Sequence, residues 1–453
     1  MEARRGEWRT LGRHAGTVFV GQVAVMAFGL TDTVVAGRYA SEALAALSVG
    51  SAVYISIFVG LLGMLQAQLP VWAELRGAGQ HEALGRSVRQ ALYLAAAAMA
   101  VGMAVLLFPA PILEATAVPP HLRPAVEGYL GILAFALPAA LLFRLYSTLN
   151  QSLGKPLLVT WVQIGSLGLK IPLSLWFVFG GAGLPALGLA GCAWATLVVN
   201  YLMLALAAWL LRTQAFYAPY KIWQRLERPH GPTLRAFARL GIPTALAIMV
   251  EVTSFTLMAL FIARMGTLPA ASHQIAASLT GLLYMMPLSL GIATSARVSY
   301  WLGAGDGSRA RHALRLGLKL ALGLALCSAT VLVALHEPVA RLFAGDNLPL
   351  VALAAGLLPW VAVYHLADAL QAVCVFILRS FGIATASLVV YCVLLWGVGL
   401  GGGYLLAYRG LPGLAPLGTP AAFWGAGALA LALTAATFMA LLWQVVRARR
   451  PQG

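Results

Sequence analysis

The sequence predicts an all-α integral membrane protein with twelve transmembrane helices in two six-helix bundles. The chain is 61% hydrophobic and only 10% charged, whereas soluble domains carry about 25% charged residues. Its apolar residues come in repeated blocks of about 20 or more, the length that crosses a hydrocarbon core roughly 30 Å thick. The short alternating segments of a membrane β-barrel are not seen. Folding in water therefore does not explain this composition.

Two sets of six helices are predicted, separated by a basic linker. The first six lie near residues 15–37, 46–74, 90–111, 127–149, 157–179 and 189–211. The second six lie near residues 240–263, 275–301, 314–335, 350–378, 384–407 and 421–445. The predicted domains are an N-terminal lobe (1–212), a cytoplasmic linker (213–239) and a C-terminal lobe (240–453).

The two halves repeat at an offset of about 227 residues, the length of six helices with their connections. The matching landmarks are Gly77 with Gly303, Gly154 with Gly382, and Gly183 with Gly410. An even number of helices carries both halves through the membrane in the same sense, which predicts a pseudo-two-fold axis along the membrane normal, a known transporter design. The alternative is a duplication with no present mechanical role.

Lysine and arginine residues collect on one side of the predicted membrane. The formal net charge is +16, but the bases lie at helix ends and do not form a nucleic-acid patch. The poorer side holds Arg38, Arg123, Arg264, Arg341 and Arg409. The richer side holds 22 bases, which lie in both termini, in the linker and at the helix ends of that side, and they include Arg379, Arg447, Arg449 and Arg450. We therefore expect a multi-pass protein of the inner (cytoplasmic) membrane with both termini in the cytoplasm.

Three acids interrupt the apolar blocks: Glu251, Asp368 and Asp32. An ionised carboxylate inside a membrane costs several kcal/mol unless it is paired, hydrated or protonated, so these acids are the main functional candidates. The four cysteines lie in apolar stretches without metal-ligand spacing. No P-loop and no catalytic triad or zinc motif is found, so an enzyme is not expected.

Several stretches carry a resemblance to a known family. They are GLTDTVVAGRYASEALAALSVG and FVGLLGMLQAQLPVWAELRGAGQ in the first half, and LGIPTALAIMVEVTSFTLMALFIARMGTLPAASHQ and YHLADALQAVCVFILRSFG in the second. Over essentially its whole length the chain resembles the multidrug and toxic compound extrusion (MATE) transporters, in particular the NorM-like branch. The resemblance implies export of organic cations and drugs in exchange for inward Na+ or H+.

The resemblance also implies roles for individual residues. The family's second-lobe cation site falls on Glu251 and Asp368, with Tyr364 beside it. The substrate cavity would take in Tyr284 and Gln274, and spacing and side-chain chemistry add Gln371 and Met286. The spacing of Tyr364, Asp368 and Gln371 places all three on one helix face. Either Na+ binds the two carboxylates or the carboxyls carry protons. The alternative is a structural pairing of these acids with Arg297 or His273.

Asp32 matches the first-lobe acid of the family, which is protonated there. This chain has Lys170 where related transporters usually carry a neutral residue. We predict an ion pair between Lys170 and Asp32 that weakens Asp32 as a proton carrier. The alternative is that Lys170 extends to an interface and never meets Asp32.

Two further functions remain open at this point. One is a flippase of the same fold for lipid-linked oligosaccharides or other amphiphiles, and the other is an intramembrane enzyme with carboxylate catalysts. Three acids against few interior bases favour a cationic cargo. The expected partners are cationic drugs, a monovalent cation and the lipid bilayer, with no nucleic acid, no cofactor and a monomeric protein.

Overall fold

The structure is a computed structural model that describes residues 2–116, 118–181, 183–410, 412–413 and 415–448. Arg449 and Arg450, two of the predicted cytoplasmic bases, lie outside the described residues. Within the described ranges all regular secondary structure is helical, apart from one isolated bridge between Gly181 and Leu184, and turns and loops connect the helices. Twelve of these helical segments are long and apolar enough to cross a membrane, which confirms the predicted number.

The helices follow the predicted order. The first half contains α1 (Glu2–Tyr39), α2 (Ser41–Gln66), α3 (Leu69–Gly77), α4 (His81–Leu107), α5 (Ala110–Ala115), α6 (Arg123–Ser152), α7 (Pro156–Phe179) and α8 (Leu189–Thr213). The second half contains α9 (Gly231–Ala263), α10 (Thr267–Gly303), α11 (Gly307–Ala334), α12 (His336–Ala344), α13 (Leu348–Ser380), α14 (Thr385–Tyr391), α15 (Gly402–Tyr404) and α16 (Pro420–Ala448). Several helices begin before the predicted position, α4 at His81 and α9 at Gly231. They do so because backbone hydrogen bonding continues through charged residues beyond the apolar block.

The chain folds into two compact units. The first unit is Val20–Ala245, and the second unit combines Met1–Phe19 with Leu246–Gly453. The sequence-based division placed residues 1–212 in one lobe and the linker 213–239 between the lobes. In the structure, the linker folds with the first unit and the start of α1 folds with the second.

In the first unit, α6 is the most enclosed helix, with 61% of its apolar window buried. It packs against α2, α4 and α8. The linker is folded onto the unit through a 3-10 helix, Ala215–Tyr220, whose Tyr217 hydroxyl donates to Asn150 Oδ1 at 2.7 Å. Gly85 allows the close approach, because a Cβ there would lie 1.7 Å from the Tyr220 carbonyl oxygen.

Polar side chains of α4 fasten the rest of the linker. Arg89 donates to the Lys221 carbonyl and to Glu227, each at 2.6 Å. Gln90 donates to the Arg228 carbonyl at 3.0 Å and accepts from the His230 amide at 2.9 Å. Two short hydrogen bonds hold the Arg89 guanidinium against the linker, although its buried Nε has no hydrogen-bond partner. The basic linker is thus an ordered part of the first unit.

In the second unit, α13 is the central helix. It has 78% of its apolar window buried, against 22–44% for the other spans of the second half. It packs against α10, α11 and α16. Asn347 caps its first turn by accepting from the Leu350 amide at 3.2 Å. A polar side chain on α13 is therefore surrounded by protein on most sides.

The start of α1 is tied to this unit by a bidentate ion pair. Arg297 on α10 donates to both Glu7 carboxylate oxygens, at 2.7 and 2.5 Å. The Trp301 indole donates to the same carboxylate at 3.3 Å. Bidentate guanidinium–carboxylate pairs are among the stronger polar contacts, which explains why residues 1–19 group with the second unit.

The eleventh spanning segment is wider than an α-helix over much of its length. After α14 the backbone forms a π-helix over Cys392–Gly401, and a second π-helix follows α15 over Leu405–Arg409. Glycines make the tight packing of this segment possible, since a Cβ at Gly403 would lie 2.6 Å from the Phe423 ring. π-Helical turns are rare and occur often beside functional sites.

The connection into α11 is capped by a carboxylate. Asp306 accepts hydrogen bonds from the Arg309 amide and the Ser308 hydroxyl, both at 2.9 Å. These hydrogen bonds, with the Arg309 amide first, lower the pKa of the Asp306 carboxyl from its ordinary value. An ionised cap also interacts favourably with the helix N-terminus.

Candidate functional site

The two second-half carboxyls meet at one glutamine. Gln371 Nε2 donates to Asp368 Oδ1 at 2.9 Å and lies 3.5 Å from Glu251 Oε1. Glu251 comes from α9, whereas Asp368 and Gln371 lie one helical turn apart on α13. The structure thus brings Glu251, Asp368 and Gln371 together, as the predicted helix face on α13 requires. We call these three residues the carboxylate cluster.

Tyr391 fixes the orientation of the bridging amide. Its hydroxyl donates to Gln371 Oε1, so the amide oxygen is occupied and the amide nitrogen faces the two carboxyls. Tyr391 is itself buried at the end of α14 and packs edge-on against Phe438. A carboxylate can accept from an amide N–H, whereas the amide oxygen, if it pointed at the two carboxylates, would repel them. The sequence analysis did not identify Tyr391.

No base in the described part of the chain forms an ion pair with Glu251 or Asp368. The structural pairing with Arg297 is wrong, because that guanidinium is bound to Glu7. His273 is buried and packs against the rings of Phe255 and Trp424 instead. Arg379 is the cation within electrostatic reach of Glu251. The two carboxyls therefore have a direct hydrogen-bond partner in Gln371, whereas the positive charge of Arg379 acts on Glu251 without forming an ion pair.

Glu251 faces a pocket that is walled by aromatic and apolar side chains. Ser254, Phe255, Tyr364 and Phe423 line it. The remaining lining residues are Met258, Leu395, Gly399, Leu400, Gly427 and Leu431. Glu251 and Ser254 share this pocket as their spacing predicts, and Tyr364 lines it from α13. Ring faces near a carboxylate suit an organic cation, which both groups attract.

The π-helical segment forms one wall of this pocket. Leu395, Gly399 and Leu400 lie within its first π-helix. The Ser254 hydroxyl donates to the Leu395 carbonyl at 3.5 Å. On the opposite wall, a Cβ at Gly427 would lie 3.3 Å from the Tyr364 ring. The pocket thus combines Glu251 of α9 with closely packed backbone and ring surfaces.

The first unit carries its own buried charge pair. Lys170 Nζ lies 2.8 Å from Asp32 Oδ1, with none of the lysine side chain and 10% of the aspartate side chain exposed. Lys170 also donates to the Thr196 hydroxyl at 2.6 Å and to the Cys192 carbonyl at 3.1 Å. The Ser174 hydroxyl lies 3.4 Å from the same carboxylate oxygen. The predicted contact between Lys170 and Asp32 is present, whereas the alternative of an outward-extended lysine is wrong.

The remaining predicted residues are placed differently. Tyr284 on α10 lies within electrostatic reach of Glu251 and Asp368. Met286, two residues on, is half-buried, and Gln274 is exposed. The structure therefore does not bring Gln274 to the carboxylate cluster, and a role for Gln274 or Met286 in binding substrate stays a prediction.

The donor set of the carboxylate cluster fits a monovalent cation. Two carboxyl groups converge, and no third His, Cys, Asp or Glu joins them in the described residues. Transition metals prefer a set of nitrogen and sulfur ligands that this site does not offer. Protons and Na+ need only the carboxyl oxygens with a few neutral oxygens, such as the hydroxyls of Ser254 and Tyr364.

Comparisons with known proteins match the whole chain. The MatE family profile matches residues 18–176 and again residues 243–405, once in each half. A probable multidrug resistance protein NorM from Aromatoleum aromaticum is 38% identical over 98% of this chain and 95% of its own. The multidrug resistance protein MdtK of Pectobacterium atrosepticum is 33% identical over 97% of this chain and 95% of its own.

Solved structures share the fold. The Vibrio cholerae MATE transporter VcmN in its bent form has a TM-score of 0.87 at 18% identity, with 99% of each chain covered. The eukaryotic MATE transporter AtDTX14 has a TM-score of 0.86 at 20% identity, with 98% of each chain covered. At these identities the solved structures show a shared fold only. The relatives with names that describe multidrug resistance are those of higher sequence identity.

Proposed function

Since this chain belongs to the MatE family of multidrug and toxic compound extrusion transporters, we propose that it exports organic cations in exchange for inward Na+ and/or H+. The exchange would proceed by alternating access. The relatives named for multidrug resistance support the cargo class. The buried acids support a cationic exchange partner, because neutral or anionic cargo gives them no role.

The carboxylate cluster is the observation that carries this proposal. Glu251 and Asp368 share one bridging amide and lack an ion-paired base among the described residues. Two ionised carboxylates side by side in a low dielectric repel each other, so binding a proton or Na+ there releases stored electrostatic energy. A conformation that brings the carboxyls together thus binds the cation better than one that separates them. Such a difference in affinity is what couples binding to conformational change.

The aromatic pocket lies where a bound organic cation and the inward cation would exclude each other. The pocket is narrow in this structure, so an organic cation would enter it in a wider state, where it would lie against the rings of Phe255, Tyr364 and Phe423 and be attracted by Glu251. The inward cation needs the same carboxylate. Competition for Glu251 would make the two bound states mutually exclusive, and that is the requirement for antiport.

Asp32 is proposed to have a different role from Glu251. Its charge is already matched by Lys170 at 2.8 Å, so a further cation gains little by binding there. A buried ion pair is strongly destabilised when one partner is removed. We therefore assign the coupling cation to the second unit and a structural or gating role to the pair in the first.

The proposal extends to the membrane location and topology of the protein. We propose an inner-membrane monomer with both termini in the cytoplasm, supported by the bias of lysine and arginine toward that side. No prosthetic group is assigned, since an ion gradient supplies the energy in this mechanism.

Transport into inverted membrane vesicles tests the proposal. A fluorescent organic cation should accumulate when an outward-directed gradient of H+ or Na+ is imposed across the vesicle membrane, and Glu251→Gln should abolish that accumulation. Imposing each gradient alone identifies the coupling ion. Movement of an anionic lipid-linked sugar without cation accumulation would instead favour the flippase, and no gradient-driven movement of any organic cation would defeat export.

A further inference from the structure

Arg379 lies inside the second unit. Its place near a predicted helix end puts it among the bases expected on the cytoplasmic side, but the structure buries it near the end of α13, with only 5% of its surface exposed. It follows Asp368 by eleven residues, about three helical turns, so the two residues lie on the same face of α13. Side chains of a helix lean toward its N-terminus, and a long arginine side chain on this face extends toward the carboxylate cluster.

Packing holds the Arg379 guanidinium in this position. Its Cζ lies 4.6 Å from the centroid of the Phe376 ring, one turn earlier. Phe376 fits closely against α10, because a Cβ at Gly291 would lie 2.7 Å from its ring. Next to Arg379, the Ser380 and Ser295 hydroxyls lie 2.9 Å apart and join the ends of α13 and α10. The guanidinium therefore cannot easily turn outward.

One end of the guanidinium is left without a hydrogen bond. Arg379 Nη1 is buried and has no partner, and a buried donor of a charged group without a hydrogen bond is destabilising. Glu251, Tyr284 and Tyr391 lie within electrostatic reach of it. The structure thus contains a buried cation with a free donor within electrostatic reach of Glu251, a carboxyl that lacks an ion-paired base among the described residues.

We propose that Arg379 is the resident counter-charge of the carboxylate cluster, a positioning residue that holds the net charge of the site at minus one. Two carboxylates and one guanidinium leave one negative charge, so one monovalent cation neutralises the site. When that cation leaves, the free Nη1 donates to the nearest carboxylate. This inference rests on the proposed coupling at Glu251 and adds to it a stoichiometry of one cation at this site.

The proposal predicts the direction of a charge effect. Removing the guanidinium charge leaves the cluster with a net charge of minus two, so the first cation should bind more tightly. At an effective dielectric constant of about 20 the gain is on the order of tenfold. Release of the cation should slow by a similar factor, and drug efflux should fall. A purely structural arginine would give weaker binding or no change.

Cation binding can be followed through tryptophan fluorescence of the purified protein, during a Na+ titration at constant pH and an acid titration without Na+. The titratable groups of the site are Tyr364 and Asp368 on α13 together with Glu251 on α9, Tyr284 on α10 and Tyr391 on α14, and the last three lie within electrostatic reach of Arg379. We expect Arg379→Gln to bind the cation about tenfold more tightly than the parent protein. Arg379→Lys, which keeps the charge, should bind as the parent does.

Two controls separate charge from folding. Arg297→Gln removes one partly buried positive charge of the same unit whose partner is Glu7, and it should leave the cation affinity unchanged. Asp368→Asn alone should weaken binding, and adding Arg379→Gln to it should restore part of the affinity by returning the net charge to minus one. The site of this double variant has the same net charge as that of the parent protein, so the variant tests the proposal even where Arg379→Gln alone does not fold.

The outcomes are distinguishable. Equal or weaker binding by Arg379→Gln, or no gain from adding it to Asp368→Asn, would overturn the counter-charge while leaving the coupling at Glu251 intact. A parent protein that responds to neither cation, or a response that survives Glu251→Gln, would defeat the proposed function and the counter-charge together.

Discussion

Lys170 and Asp32 form a buried ion pair in the first unit, with Nζ and Oδ1 2.8 Å apart. The lysine is fully enclosed and satisfies its other donors on Thr196 and Cys192. In the second unit, Glu251 and Asp368 meet through an amide and not through a base. The membrane acids of the two halves therefore have different partners, a lysine in the first half and a glutamine in the second.

The Asp32–Lys170 pair should be sensitive to loss of either partner. Lys170→Met leaves a buried carboxylate without its counter-charge and should lower the free energy of unfolding by about 3–5 kcal/mol. The double variant Asp32→Asn with Lys170→Met should recover most of that loss, as thermal melting in detergent can measure. Additive losses would mean that the two side chains are not coupled.

The same pair predicts a ranking of transport defects. Asp32→Asn and Lys170→Asn, compared per amount of folded protein, should reduce gradient-driven efflux less than Glu251→Gln does. Complete loss in Asp32→Asn together with a tolerated Glu251→Gln would reverse the roles that we assign to the two units.

Gln371 should matter through its amide nitrogen. Gln371→Met removes a donor shared by two carboxyls and should reduce efflux by about tenfold, since hydrogen bonds to charged groups contribute about 1.5–3 kcal/mol. Tyr391→Phe removes the hydroxyl that orients the amide and should act in the same direction more weakly. Gln444→Met, at an exposed position of α16, is the matched control and should transport normally. Equal rates in all three variants would contradict a bridging role.

The linker should loosen when its buried anchor is removed. Arg89→Gln eliminates the contacts to Glu227 and the Lys221 carbonyl, so limited trypsin digestion should cut faster after Lys221 and Arg225. Arg86 is the matched control, because its side chain is 68% exposed and lies 3.8 Å from Glu227, where ion pairs contribute little. If Arg86→Gln accelerates cleavage as much as Arg89→Gln, the linker is not held by the buried arginine.

The cap on α11 should titrate with pH. The folded state lowers the pKa of Asp306, so its stabilising contribution is complete above the unfolded carboxyl value of about 3.9 and is lost as pH falls through the folded value. Asp306→Ala should melt at a lower temperature than the parent protein at neutral pH, and the difference should shrink in acid. Asp306→Asn keeps a neutral cap and should show a smaller dependence on pH. A melting difference that stays constant into acid would mean that the charge of Asp306 contributes nothing.

The helix number and the buried acids could be predicted because both depend on local composition. A membrane-length apolar block specifies a spanning helix, and spacing alone places Asp368 and Gln371 on one face. The contact between Lys170 and Asp32 was predicted from the cost of burying each charge alone. In each of these cases, the physical constraint applies within one segment or to one pair of opposite charges.

The missed features depend on which helices become neighbours. Arg379 lies near a helix end, where a base usually reaches water, and only the packing of Phe376 against Gly291 turns it inward. Tyr391 could not be connected with Gln371 without knowing that α14 and α13 adjoin at that height. Glu7 looked like a terminal acid, although Arg297 binds it from a distant part of the chain. Sequence periodicity indicates which face of a helix is buried but not which helix packs against that face.

The ion pair between Glu7 and Arg297 has a consequence for biosynthesis. The Glu7 carboxylate is translated before the first unit, whereas its guanidinium partner is translated only after the whole first unit, which includes the linker. The start of α1 must therefore wait, without its partner, while the first unit inserts into the membrane. A second half expressed as a separate polypeptide would lack Glu7 and carry a partly buried arginine without its ion-pair partner. Co-expression of the two halves should consequently yield more stable protein than the second half alone.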